Sequence, residues 1–122
     1  MAHFVELKTF TDDRGSLTVI ERELPFAPRR VYYIYDVAGD KVRAGHRHHK
    51  NIQALICVRG SCEVFVNDGE TKQTCRLDRP DLCLILEPRD WHTMHHFSPE
   101  AILLVLASEP YDINDYIDEE YL

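Results

Sequence analysis

Short apolar segments separated by turn residues constrain the fold of this chain more than any other feature. The clearest segment, 62–66, alternates apolar and polar residues and runs into Asn67-Asp68-Gly69, a typical hairpin turn. About seven such segments follow one another at short intervals, as in β-sandwiches and barrels. The predicted strands cover residues 17–20, 30–36, 52–58, 62–66, 70–77, 82–87 and 102–107.

One segment near the end of the chain has a different period. Apolar side chains in 113–121 recur at helical spacing, and Asp112 stands where a helix cap is expected. The sequence therefore predicts an all-β protein with a short C-terminal helix.

Length and charge exclude several classes of protein. The 122 residues predict one domain spanning 1–122, and no apolar run is long enough for a transmembrane helix or a secretory signal. The net charge of −7 and the lack of a basic cluster argue against a nucleic-acid partner. The four cysteines are spread out without a Cys-x-x-Cys pair, so we expect reduced, buried thiols in a cytoplasmic protein.

The segment 43–53 carries the clearest chemistry. His46 and His48 are two residues apart, which places both rings on one face of an extended strand, and Gln53 follows closely. Such a pair can bind a metal ion, or it can transfer protons near neutral pH.

A glycine-preceded His-x-His is followed by an apolar strand, Gly60, a hairpin, and then a segment that starts at Pro88 and includes His92. This order of features resembles the two-motif layout of the cupin jelly roll. We therefore expect the cupin double-stranded β-helix.

A metal-binding cupin would present a different set of ligands. Gln53 stands where such a cupin has a glutamate, and a neutral amide is a weak ligand for a divalent cation. Thr93 stands where its last histidine is expected, and His92 is one residue early, which should turn it to the other strand face. His95 and His96 are further candidates, so a metal remains an alternative. The prediction is proton chemistry without a metal or other cofactor, in which Gln53 orients a ring or holds a substrate oxygen.

Six further matches make the resemblance specific. The chain resembles the dTDP-4-oxo-6-deoxyglucose 3,4-ketoisomerases, whose Arg-Gly-x-His-Ala-His-Lys-x-x-x-Gln motif corresponds to residues 43–53. The other matching segments are 14–17, 30–36, 55–62, 91–94, 104–108 and 111–117.

This resemblance implies an activity and a set of site residues. Such enzymes move the oxo group of a dTDP-linked 4-oxo-6-deoxy sugar from C4 to C3 without a metal, by proton transfer through an enediol. The product then serves an aminotransferase. The catalytic histidines correspond to His46 and His48.

We assign the remaining site residues from their chemistry. Arg14 and Arg43 suit the pyrophosphate, and Tyr33, Tyr35 and Trp91 suit the thymine and the sugar. Gln53 and His92 complete the predicted substrate site, and short cupins of this kind are expected to form homodimers.

The chain departs from the family motif at three positions. Arg47 replaces the small residue between the histidines and should point to the opposite strand face. His49 replaces the lysine and Ala44 a glycine, which leaves open the stereochemistry at C4 and the identity of the sugar. The alternatives are a sugar-nucleotide epimerase of the same fold, a metal-dependent cupin enzyme and a non-catalytic sugar-binding cupin.

Overall fold

Twelve antiparallel strands form the fold, which we describe for all of residues 1–122 from a computed structural model. The strands are β1 (His3–Glu6), β2 (Lys8–Asp12), β3 (Gly15–Val19), β4 (Arg30–Tyr35), β5 (Arg43–His48), β6 (Gln53–Arg59), β7 (Cys62–Asn67), β8 (Lys72–Leu77), β9 (Leu82–Leu86), β10 (Trp91–His95), β11 (Ile102–Ala107) and β12 (Tyr116–Ile117). One five-stranded sheet has the order β1-β9-β6-β11-β4, and a second has the order β12-β5-β10-β7-β8. A separate hairpin consists of β2 and β3. The predicted all-β cupin jelly roll is confirmed, and so are its seven strands.

The main core consists of apolar side chains from both sheets. Fifteen buried residues form this cluster, including Leu55, Val64, Leu84 and Leu103, each with essentially no exposed surface. Burying a side chain of this size contributes about 1.5–3 kcal/mol. A rigid double layer of strands results, and it fixes where the inward-facing polar side chains lie.

A second, smaller core explains why β6 and β9 are apolar on both faces. Their alternate residues, among them Ile56 and Ile85, pack against Leu24 and Phe26 of the segment between β3 and β4. The first sheet is therefore covered on both faces at its centre.

The hairpin between β7 and β8 forms at the predicted residues. The Asp68 N–H donates to the Thr71 carbonyl at 3.2 Å, and the Asp68 carboxylate accepts the N–H groups of Glu70 and Thr71. Gly69 has φ 94°, a left-handed conformation that favours glycine.

The prediction of a C-terminal helix is wrong beyond the first turn of that segment. Only Ile113–Asp115 form a 3-10 turn, which Asp112 caps as expected by accepting the Asn114 N–H at 3.0 Å. The chain then extends, and β12 pairs with β5. The exposed edge of β5 offers hydrogen-bonding partners that override a weak helical preference in Tyr116 and Ile117.

All four cysteines are buried and unpaired, as predicted. Every helical segment of the structure is too short to cross a membrane.

Several large apolar side chains face solvent on the hairpin of β2 and β3 and on β4. Phe10 and Leu17 lie opposite each other on the hairpin of β2 and β3, and each is 61% exposed. Val31, Tyr33 and Tyr35 form the outward face of β4 and are also exposed.

Candidate functional site

The chemistry-bearing residues of segment 43–53 meet others in a pocket of about 250 Å³. The pocket draws on strands β4, β5, β6, β10 and β12, and therefore on both sheets. Its lining residues are Arg30, Tyr32, Ile34, Arg43, Ala44, His46, Gln53, Met94 and Tyr116.

A bulge in β5 sets the position of His46. Pairing between β5 and β10 shifts by one residue, so that His92 is opposite His46 but Thr93 is opposite Ala44. Gly45 is the extra residue. Ala44 and Gly45 have φ values of 68° and 82°, and such a bulge bends the strand and re-aims the side chain that follows.

Four rings cluster at the pocket: His46 and Tyr116 line it, and His48 and His92 do not. The His46 ring centroid lies 5.1 Å from that of His48 and 5.2 Å from that of His92. The Tyr116 ring lies 4.7 Å from both His46 and His48. His46 and His48 therefore share one face, as the sequence predicted.

The structure corrects the expected orientation of His92. We predicted that its offset from the cupin pattern would turn it to the other face, yet its ring is buried against His46. The regular alternation of β10 puts His92 and Met94 on its buried face, so the position one residue early is the inward one in this chain. His92 Nδ1 lies 3.0 Å from the Asp90 carbonyl oxygen. Because a carbonyl oxygen only accepts, Nδ1 carries the proton and donates it to this hydrogen bond.

A buried carboxylate holds His48 in place. Asp115 Oδ2 lies 3.1 Å from His48 Nδ1 and 3.2 Å from the Asn51 backbone nitrogen, which donates to it. The other oxygen accepts the Lys50 N–H at 2.8 Å. Asp115 thus makes Nδ1 of His48 the protonated nitrogen and leaves Nε2, which is buried without a partner, free to exchange a proton.

Burial keeps the three imidazoles neutral. It lowers the pKa of His46 to about 4, with a smaller effect from neighbouring His48. It lowers the pKa of His92 to about 3, and it lowers the pKa of His48 although Asp115 opposes the change. A neutral imidazole is the form that accepts a proton, so His46 is a base at neutral pH.

A phenol and an amide form the opposite wall. Gln53 Nε2 donates to the Tyr32 hydroxyl at 3.1 Å, and the Arg30 guanidinium carbon lies 4.5 Å from the Tyr32 ring centre. Burial raises the pKa of Tyr32, so this phenol stays protonated at neutral pH. Arg30 and Arg43 place two positive charges on the pocket lining.

The structure separates the predicted site residues into two groups. His46, Arg43 and Gln53 line the pocket, and His48 and His92 lie behind His46. The others are elsewhere: Arg14, Tyr33, Tyr35 and Trp91.

Each of these four has its own partners. Arg14 pairs with Asp12 at the hairpin tip, at 2.6 Å. Tyr33 and Tyr35 stack on each other outside the barrel, with ring centres 5.8 Å apart. The Trp91 N–H donates to the Asp118 carbonyl at 3.0 Å.

Arg47 behaves as its position between the histidines predicts. Its side chain points away from them, donates to the Glu119 carbonyl at 3.2 Å, and lies over the Tyr121 ring at 4.3 Å. The substitution therefore does not obstruct the pocket.

Sequence reasoning missed Arg30, Tyr32, Asp115 and Tyr116. The alternation in β4 places Tyr32 and Ile34 on one face and Tyr33 and Tyr35 on the other, but nothing in the segment alone shows which face is inward. Asp115 and Tyr116 lay within the segment 111–117 that matches the family, and this match was the available signal, because the predicted apolar stripe included Tyr116 but not Asp115.

Known proteins are similar to this chain along nearly its whole length. The family described as "FdtA: WxcM-like, C-terminal" matches residues 1–121. A TDP-4-oxo-6-deoxy-alpha-D-glucose-3,4-oxoisomerase from Aneurinibacillus thermoaerophilus is 44% identical over 115 residues, which cover 93% of this chain and 83% of that protein.

Solved structures show the same fold. A 3,4-ketoisomerase from Helicobacter canadensis is 40% identical, with a TM-score of 0.93 over 97% of this chain and 90% of that one. A mutant of the 3,4-ketoisomerase QdtA from Thermoanaerobacterium thermosaccharolyticum, solved with TDP-4-keto-6-deoxyglucose, is 37% identical with the same TM-score over 97% and 87%. The chain belongs to the FdtA family of sugar 3,4-ketoisomerases that its motifs indicated.

Proposed function

We propose that this chain is an isomerase, a single domain over residues 1–122 that converts dTDP-4-oxo-6-deoxy-D-glucose to a dTDP-3-oxo-6-deoxyhexose. The observation that carries the proposal is the neutral His46 imidazole in a pocket that also holds Arg30 and Arg43. The 44% identical oxoisomerase is named for this substrate. A 3-oxo sugar is the form that an aminotransferase needs to make a 3-amino sugar.

The reaction needs two proton transfers at carbon and no net oxidation. His46 removes the proton from C3, the electron pair forms a C3=C4 double bond, and the C4 oxygen gains a proton to give the enediol. The C3 hydroxyl then loses its proton to become the oxo group, and C4 gains a proton. General acid–base groups placed in this way typically contribute about 10²–10⁴-fold each.

The other residues have supporting roles in this proposal. His48, oriented by Asp115, passes protons to and from His46. Tyr32 supplies a protonated phenol to the enediol oxygens, and the neutral amide of Gln53 does not repel them. Arg30 and Arg43 bind the pyrophosphate through charge-assisted hydrogen bonds.

An epimerase of this fold is less well supported. The relatives described above at 37–44% identity are named as ketoisomerases or as an oxoisomerase. A non-catalytic sugar-binding cupin has no need of a neutral base beside two further imidazoles.

Exchange with deuterated water tests the proposal directly. We expect incubation with dTDP-4-oxo-6-deoxyglucose in D₂O to place deuterium at the reacting carbons and to give a 3-oxo product. NMR spectroscopy measures both changes. The configuration at C4 in the product also distinguishes the galacto from the gluco sugar. Absence of exchange at C3 and C4 would refute the isomerase, and exchange at C5 would favour an epimerase.

We further propose that the protein is a cytoplasmic homodimer. The exposed apolar side chains on β4 and on the hairpin of β2 and β3 support a self-association surface, and the four unpaired thiols suit a reducing compartment. Arg14 does not line the pocket of its own chain, so in this proposal it contacts nucleotide only from a neighbouring copy. Light scattering at micromolar concentration should give twice the chain mass, and a monomeric mass would contradict the dimer.

A further inference from the structure

Two histidines that the proposed reaction does not use lie close to a glutamate on the outer surface. Glu63 on β7 and His95 on β10 are directly opposite each other in the antiparallel pair. Glu63 Oε1 lies 3.6 Å from His95 Nε2 and 2.6 Å from His96 Nδ1. One ligand atom from each residue lies within 4.8 Å of the other two.

The backbone brings His96 to the same side as His95. Neighbouring residues on a regular strand point to opposite faces, but His96 has φ 51°, a left-handed conformation that ends β10. The two imidazole centres are consequently 4.6 Å apart. Left-handed backbone is uncommon for residues other than glycine.

The alternation along β10 separates this cluster from the pocket. His92 and Met94 point inward and are buried, whereas Thr93 and His95 point outward. None of the three cluster residues lines the pocket that contains His46.

The local charges suit a bound cation on one side of Glu63. The hydrogen bond from His96 holds the pKa of the Glu63 carboxyl below its usual value, so the carboxylate is ionised. Arg76 is the nearest competing cation, and it lies 4.0 Å from Oε2, the oxygen that does not contact the histidines. Arg76 also pairs with Asp78 at 3.4 Å, which divides its interaction between two acids.

We propose that Glu63, His95 and His96 bind a divalent transition-metal ion of the class that prefers imidazole, represented by Zn²⁺. Two imidazole nitrogens and one carboxylate oxygen are a common zinc ligand set, with water in the fourth position. Tetrahedral ligands at 2.0–2.2 Å from zinc are about 3.4 Å apart, so modest side-chain rotations close the site. On binding, His96 Nδ1 gives up to solvent the proton that it now shares with Glu63, Nε2 takes a proton from solvent so that the ring stays a neutral imidazole, and the metal binds at Nδ1.

A calorimetric titration of the metal-free protein with ZnCl₂ tests the site. In the double variant His95→Gln/His96→Gln, the zinc affinity of this site should fall at least about tenfold. The variant His46→Gln should retain it, because His46 belongs to the pocket. His49→Gln is the matched control for an exposed histidine elsewhere, and MgCl₂ should give no comparable binding.

Thermal unfolding supplies a second measurement. Zinc that links β7 to the end of β10 stabilises the folded chain, so zinc should raise Tm for the wild type and not for the double variant. The proposal is refuted if the double variant binds zinc like the wild type, or if zinc binding disappears in His46→Gln instead. Proton exchange into the sugar tests a different site, so either proposal can fail without the other.

Discussion

At the scale of single residues, the site depends on which nitrogen of each imidazole carries a proton. Asp115 fixes this for His48 through Oδ2, and the Asp90 carbonyl fixes it for His92. Both rings then present an unprotonated Nε2 toward the interior, where no partner occupies it. An imidazole held in one tautomer accepts a proton only at its unprotonated nitrogen, whereas a freely rotating surface histidine can accept at either.

The first prediction concerns Asp115 as a positioning residue. Asp115→Asn replaces an acceptor with an amide that can donate to His48 Nδ1, and this favours the opposite tautomer. We expect kcat to fall by about 10²-fold or more while KM changes little, because the residue does not line the pocket. The exposed Glu119→Gln is the control. A folded Asp115→Asn enzyme with kcat within twofold of wild type would contradict the role.

Neighbouring tyrosines on β4 allow a matched pair of variants. Tyr32→Phe removes the hydroxyl that accepts from Gln53 in the pocket, so we expect a loss of about 10-fold or more in kcat/KM. Tyr33→Phe removes a hydroxyl on the outer face and should leave catalysis unchanged. Steady-state assays of both variants check this, and equal effects would mean that the inward face of β4 has been misassigned.

At the scale of elements, strand positions followed from the sequence but their registers did not. Seven predicted strands are confirmed because apolar alternation and turn residues mark them locally. The bulge at Ala44 and Gly45 depends on pairing with β10, which is distant in sequence. For the same reason, the sequence alone did not show which way His92 points or which face of β4 is inward. One residue of register decides which side chains enter the pocket.

The left-handed conformation of the bulge predicts two opposite changes in stability. Ala44→Gly should raise the free energy of unfolding by about 0.5–1 kcal/mol, because alanine at φ 68° costs more than the added flexibility of glycine. Gly45→Ala should lower it by about 1 kcal/mol through backbone strain alone, since an added Cβ meets no atom within 4 Å. Urea unfolding measures both, and changes of the same sign would contradict this explanation.

At the scale of the whole molecule, the jelly roll and the ketoisomerase family were predictable, whereas the C-terminal segment was not. Residues 113–121 have a helical apolar pattern, yet Tyr116 and Ile117 pair with β5. Just before them, Asp115 accepts three hydrogen bonds from His48 and from the backbone that follows β5. Such a tertiary partner cannot be read from a local pattern.

Burying neutral imidazoles also makes global stability depend on pH. His92 has a pKa of about 3 in the folded chain and about 6.5 when unfolded, so both states are neutral above pH 6.5. Below that pH the unfolded chain binds a proton that the folded chain does not. Stability is therefore lost as pH falls, by about 1.4 kcal/mol per pH unit for this group.

Other titratable groups around His92 also contribute to the pH dependence of stability. His46 and His48 have lowered pKa values and act in the same direction, whereas burial raises the pKa of Asp90 to about 6 and acts in the opposite direction. We expect the free energy of urea unfolding to fall between pH 6.5 and 4.5, and His92→Asn, whose amide can still donate to the Asp90 carbonyl, to show a shallower fall. Parallel curves for the two proteins would contradict the assignment.

The bulge in β5 also determines where the chain can change length. Because Gly45 is the extra residue, deleting it would keep His46 opposite His92 and Ala44 opposite Thr93. Deleting Arg47 instead would put the rings of His46 and His48 on opposite faces of β5, even though the polypeptide could still fold. An insertion after the exposed Glu70, in the turn between β7 and β8, would leave every registered pair near the pocket in place. Insertions and deletions should therefore be tolerated in the turn between β7 and β8 but not between His46 and His48, where a single residue decides whether both imidazoles face the pocket.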